Sequence, residues 1–146
     1  MQLRPVVGLN DAPRAVVGTL GDIAQRLHSE LVLSGYSVFL EDVQSAVLEE
    51  ARLYASWAAF EVQRVATAPV TLDLTLTIDA YEWSFIEPVV RAHIEMIEAR
   101  RGEASVSLGA QTYGMQYAEA QRIYQEQRDL LPKNAFICAP YSIDLS

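Results

Sequence analysis

The chain is predicted to be mainly α: a bundle of about four helices, one long strand or small β element, and extended N- and C-terminal arms. Three observations carry this. Apolar residues recur at helical spacing over most of the 146 residues. Turn-forming residues gather near the start, where Pro5, Gly8, Asn10, Asp11, Pro13 and Gly18 fall within eighteen positions. Between the helical segments, Val70–Asp79 reads V-T-L-D-L-T-L-T-I-D, an unbroken alternation of aliphatic and polar side chains, which is the period of a strand with one dry face.

Residues 1–18 read as an extended arm because turn chemistry there separates short apolar pairs. The first helix follows Thr19, with Leu20, Ile23, Ala24, Leu27 and Leu31 on one face and Gly35 as its stop. A longer helix is expected over 39–66, with Leu40, Val43, Val47, Ala51, Tyr54, Ala58 and Val62 as its stripe. Its second half, around Trp57 and Phe60, is apolar on more than one face, which suits a central or intersubunit helix. Thr67-Ala68-Pro69 ends it, since the residue before proline resists helix.

The strand 70–79 would run roughly 30 Å at about 3.3 Å per residue. Val70, Leu72, Leu74, Leu76 and Ile78 form its dry face, whose full burial is worth roughly 8–15 kcal/mol as an upper bound. So long a strand needs a partner, within the chain or in a neighbouring subunit, and open edges recruit strands from other chains. Asp79 followed by Glu82 is a capping-box-like start for the next helix. That helix carries Trp83, Ile86, Val90, Ile94 and Ile97, with a kink or restart at Pro88 and an end at Gly102 after Arg100 and Arg101. A linker over 103–111 holds a short strand at 105–108. The last helix runs from 112 to 131 on Tyr113, Tyr117, Ala120, Tyr124, Gln127 and Leu131, and Pro132 stops it. In the tail, Ile137, Ala139, Tyr141, Ile143 and Leu145 alternate like a second strand, which Pro140 confines to an edge. The resulting division is an arm at 1–18, a helical body at 19–134 and a tail at 135–146.

Composition narrows the function classes. The net charge is −8, and Lys133 is the one lysine among eleven basic residues. Nucleic-acid binders instead cluster Lys and Arg. Arginine in place of lysine suits forked contacts to carboxylates and protein interfaces. One cysteine, Cys138, allows neither an intrachain disulfide nor a multi-cysteine metal site, and it reads as a small hydrophobe. Neither a secretory signal nor an apolar run of 18 residues is visible, so cytoplasmic synthesis is the expectation.

No nucleophile elbow or glycine-rich phosphate loop is present. His93 cannot share an ion with Glu95, because helix side chains meet at spacings of three or four, and Glu98 is poorly aligned. It reads as a helix-face histidine. Glu41-Asp42 and Glu49-Glu50 read as the wet side of the long helix. The tyrosines of the last helix read as core, with an interface as the alternative. The expectation is a non-enzymatic chain with no cofactor, no metal and no catalytic residues.

Several segments share a layout with a known family: Y-E-W-S-F-I-E-P-V-V at 81–90, E-A-R-R at 98–101, A-E-A-Q-R at 118–122 and L-P-K-N-A-F at 131–136. Together they resemble the head-tail adaptor (connector, or head-completion) proteins of tailed bacteriophages, over roughly residues 37–140. The resemblance implies a structural virion protein that forms a homo-oligomeric ring between portal and tail. Its arms would dock on portal and tail or collar proteins, and DNA would pass through the lumen without specific binding. Acidic charge fits such a lumen, because like charge discourages phosphate contacts. The chain departs from the family's simplest members in the length of strand 70–79 and in its N-terminal arm. Expected contact residues are Val70, Leu72, Leu74, Leu76 and Ile78 on the strand, Trp57 and Phe60 on the long helix, and Phe136, Ile137, Tyr141 and Ile143 in the tail. The location implied is the virion neck, with no membrane contact. The alternatives are a small bacterial helical regulator or ligand-binding module, and an enzyme with an intersubunit site.

Overall fold

A computed structural model of the chain describes residues 16–106, 109 and 116–138, with the side chains of 136–138 left aside. Its elements are β1 (Val16–Thr19), α1 (Leu20–Leu33), α2 (Leu40–Ala55), α3 (Glu61–Val65), β2 (Thr77–Asp79), α4 (Ala80–Val106) and α5 (Tyr117–Cys138). The architecture is mainly helical with one small antiparallel sheet, as expected.

The start of α1 shows why sequence and structure agree there. Thr19 caps the helix: its hydroxyl accepts from the Asp22 N–H at 3.1 Å, and Asp22 Oδ2 accepts from the Thr19 N–H at 3.2 Å. The next two donors, Leu20 N–H and Gly21 N–H, reach the carbonyls of Leu76 and Leu74 at 2.9 and 2.8 Å. Amides that a helix start would leave orphaned are thus used to hold the 74–76 segment. The five residues expected on the inner face of α1 are all buried, and Gly35 follows with φ +96°.

The long strand is shorter than its alternation predicts. Only Thr77–Asp79 is strand, paired antiparallel with β1 of the same chain; Val16 faces Asp79 and Thr19 faces Thr77. One extra residue, Val17, makes a bulge in this register. Gly18, at φ +132°, sits beside it in a conformation that favours glycine. Upstream, Asp73 bends the chain. Its carboxylate accepts from the Thr75 N–H at 2.8 Å and its carbonyl from the Leu76 N–H at 3.1 Å. The polar half of the alternation therefore bonds to its own backbone instead of a ladder. The apolar half still marks the dry side: Leu76 and Ile78 are buried, and Leu72 and Leu74 pack against the core.

The helix expected over 39–66 is two helices. In one continuous helix Tyr54 and Phe60 would stand about 120° apart around the axis. Breaking at 56–60 brings their rings to 5.0 Å and buries both. Ser56 marks the break, its hydroxyl bonding back to the Arg52 carbonyl at 3.1 Å.

Two expected helix ends and one expected restart are overridden. α4 continues through Pro88, which is exposed, as is Ser84 one turn earlier, whose carbonyl loses its helical donor to the proline. α4 also passes Gly102 to end at Val106, which leaves Ser105 and Val106 helical, not strand. Its last turns are tied to α5, where Glu103 accepts from the Tyr117 N–H at 3.0 Å. α5 passes Pro132, because Leu131 and Ala135, four residues apart on one face, are both buried. The tail strand is therefore overturned at Ile137 and Cys138, which are helical. Residues 139–146, the arm at 1–15, and 107, 108 and 110–115 lie outside the described residues.

Candidate functional site

Among the described residues three charged or acidic side chains are buried: Glu50, Asp79 and Glu82. Each is held differently, and the difference locates the candidate site.

Asp79 and Glu82 form the anticipated capping box. Asp79 Oδ1 accepts from the Glu82 N–H at 2.7 Å, and Glu82 Oε1 accepts from the Asp79 N–H at 3.0 Å. Glu82 Oε2 accepts from the Glu61 N–H at 2.9 Å, so it also serves the first turn of α3. Both oxygens of Glu82 are occupied by backbone donors, which makes this carboxylate a structural clasp between β2, α3 and α4.

Glu50 is held by side chains instead. Its Oε1 lies 2.9 Å from His93 Nδ1 on α4 and accepts from the Tyr124 hydroxyl on α5 at 2.5 Å. Its Oε2 is buried with no hydrogen-bond partner among the described residues. The His93 and Tyr124 rings are 4.8 Å apart. Arg128, one turn along α5, approaches the Tyr124 hydroxyl at 3.4 Å and its ring at 5.5 Å. Burial and the Glu50 carboxylate both push the Tyr124 phenol well above its ordinary pKa. Glu49, exposed on the rim, completes a set in which donor atoms of Glu49, Glu50 and His93 all lie within 4.8 Å of one another.

The reading of Glu49-Glu50 as a wet face is thus correct for Glu49 and overturned for Glu50. The signal was present: Val43, Val47, Glu50 and Tyr54 follow spacings of four, three and four, placing Glu50 on the apolar stripe. His93 likewise lies three and seven positions from Val90 and Ile86. Glu95 and Glu98 turn away from it. Glu95 accepts from the Tyr36 hydroxyl and Glu98 from the Ser37 N–H. The bond to Glu95, together with burial, pushes the Tyr36 phenol up to about 12. Asp42 caps Phe39 and binds Arg101 at 2.6 Å, and the Arg101 guanidinium lies 4.8 Å over the Phe39 ring. These contacts pin the α1–α2 connection onto α4.

The expected contact residues divide in three. Phe60, Leu76 and Ile78 belong to the chain's own core and are unavailable to a partner. Leu72 and Leu74 are half-buried, while Trp57 and Val70 are 57% and 38% exposed. The rest fall in the last residues: the side chains of Phe136 and Ile137, and all of Tyr141 and Ile143, lie outside the described residues. Ala55, Phe60, Gln63, Val70, Leu72 and Leu76 line an apolar groove of about 110 Å³. Exposed Trp57 and Val65 belong to the same 55–72 stretch, giving the chain an apolar surface where α2 gives way to α3. Among the expected core tyrosines, Tyr124 is buried and Tyr117 half-buried; Tyr113 lies outside the described residues.

No family model, curated protein or solved structure matches the chain. Among the described residues no helix is long and apolar enough to cross a membrane.

Proposed function

We propose that the chain is a structural, non-enzymatic assembly protein, a head-tail adaptor that forms a ring between portal and tail in a bacteriophage virion. The observation that carries this reading is the apolar surface at 55–72. Trp57 and Val65 are 57% and 71% exposed, in the same stretch of chain as the residues that line the apolar groove. Large aromatic side chains left in water at a helix end are the anchors that protein interfaces use. The layout of 81–136 and the acidic composition support the same reading. So does a fold that puts helices of 27 and 22 residues side by side, with chain running on beyond both β1 and α5.

On this reading a neighbouring subunit or the portal covers Trp57 and Val70, and the acidic faces of the helices line the passage for DNA. The test is sedimentation velocity of the full chain, alone and with the portal protein of the same genome. The expected result is a ring or a portal-bound complex that Trp57→Asp abolishes while leaving the melting temperature within about 3 °C, since exposed substitutions shift stability by about 0.5 kcal/mol or less. A wild-type chain that stays monomeric in both conditions would contradict the proposal.

A further inference from the structure

The carboxylate of Glu50 has no role in the assembly reading, and its environment is chemically incomplete. We infer that Glu49, Glu50 and His93 form a binding site for a first-row divalent cation of the zinc type, tying α2 to α4 beside Tyr124 of α5. The inference stands on three features and is independent of the proposed adaptor role.

The first is the donor set. Two carboxylates and one imidazole come within 4.8 Å of one another. Around a tetrahedral ion with bonds of about 2.1 Å, neighbouring donors stand about 3.4 Å apart. His93 Nδ1 and Glu50 Oε1 are already at 2.9 Å, so torsional adjustment of Glu49, the exposed member, completes the triangle. A mixed imidazole–carboxylate set suits zinc and its neighbours, whereas magnesium prefers oxygen donors and retained water.

The second is the unpartnered oxygen. Glu50 is fully buried and its Oε2 has no hydrogen-bond partner among the described residues. Leaving such an atom unmatched costs about 1–3 kcal/mol, and more when it carries charge. A cation bound by both oxygens of the carboxylate supplies the missing partner. It also offsets the repulsion between two acidic side chains held close together.

The third is the surroundings. The Tyr124 hydroxyl already donates to Glu50 Oε1 at 2.5 Å, the kind of outer contact that orients a metal-binding carboxylate. Arg128 is directed at Tyr124, 3.4 Å from its hydroxyl. Exposed Glu49 gives the ion a way in from solvent. On binding, the imidazole proton sits on Nε2, so that neutral His93 presents the Nδ1 lone pair to the cation.

The experiment is isothermal titration of the full chain with zinc chloride at neutral pH, with magnesium chloride as control. The expected result is one zinc per chain and no magnesium uptake at the same concentrations. Glu49→Gln, at an exposed position, should keep the wild-type circular dichroism and melting temperature while weakening zinc binding by about tenfold or more. Tyr124→Phe should retain stoichiometric binding, because the hydroxyl is not a ligand. Failure to saturate at one zinc per chain would overturn the inference. So would undiminished affinity in Glu49→Gln, which would assign the ion to other donors such as His28 or Cys138.

Discussion

Glu82 and Glu50 are both buried carboxylates on helices, yet they are satisfied by different kinds of donor. Glu82 accepts from two backbone amides, at Asp79 and Glu61. Their positions are fixed once the capping box and α3 form, and removing the acceptor would leave two amides unmatched. Glu50 accepts at one oxygen from side chains of two other helices and has its second oxygen free among the described residues. A carboxylate surrounded by backbone donors is committed to the fold. One surrounded by titratable side chains, with an oxygen to spare, retains chemistry.

The strongest way to break the comparison is to remove the clasp. Glu82→Ala leaves the Asp79 and Glu61 amides without their acceptor and should lower stability by roughly 3 kcal/mol, since a hydrogen bond to a charged group contributes about 1.5–3 kcal/mol. Urea unfolding measures this, and a loss below about 1 kcal/mol would mean that water replaces the carboxylate. High pH has the smaller effect and sharpens the other side. Tyr124 and Tyr36 both have phenol pKa values raised in the folded chain, Tyr36 to about 12. Their contribution is fully present below the unfolded value of about 10 and is lost as pH rises through the folded values. Between pH 10 and 12 the folded chain binds more protons than the unfolded one, so stability should fall with pH. Tyr36→Phe should flatten that slope, as melting temperatures across the range would record, and an unchanged slope would remove Tyr36 as a source.

How far the sequence reveals these two sites follows from what holds each together. The Glu82 clasp was half-legible, because a capping box is a local pattern of residues three apart. Its second bond, to α3, was not legible, because the break at 56–60 depends on Phe60 turning back to Tyr54. α1 was legible throughout: its cap, stripe and stop are all local. The alternation at 70–79 marks Leu72, Leu74, Leu76 and Ile78 as inward-facing but is overturned at Val70, which is exposed, and it overstates the strand, since Asp73 and Thr75 use their polar groups in a turn. Gly102 and Pro132 read as terminators and Pro88 as a kink or restart, but the packing of α4 along α5 carries both helices past them. Glu50 stood on an apolar stripe, a visible anomaly. Its partners are 43 and 74 positions away, and nothing local announces them.

The central claim, that one buried glutamate is saturated by backbone and the other is not, is tested most directly by making the same substitution at both. Glutamine keeps the shape and one acceptor oxygen but replaces the other with a donor. At Glu82 that donor faces a backbone N–H, so Glu82→Gln should cost about 2 kcal/mol or more in urea unfolding. At Glu50 the amide nitrogen falls where no donor stands, and the remaining oxygen still accepts from Tyr124, so Glu50→Gln should cost less than about 1 kcal/mol. Equal losses at the two positions, or a larger loss at Glu50, would contradict the account.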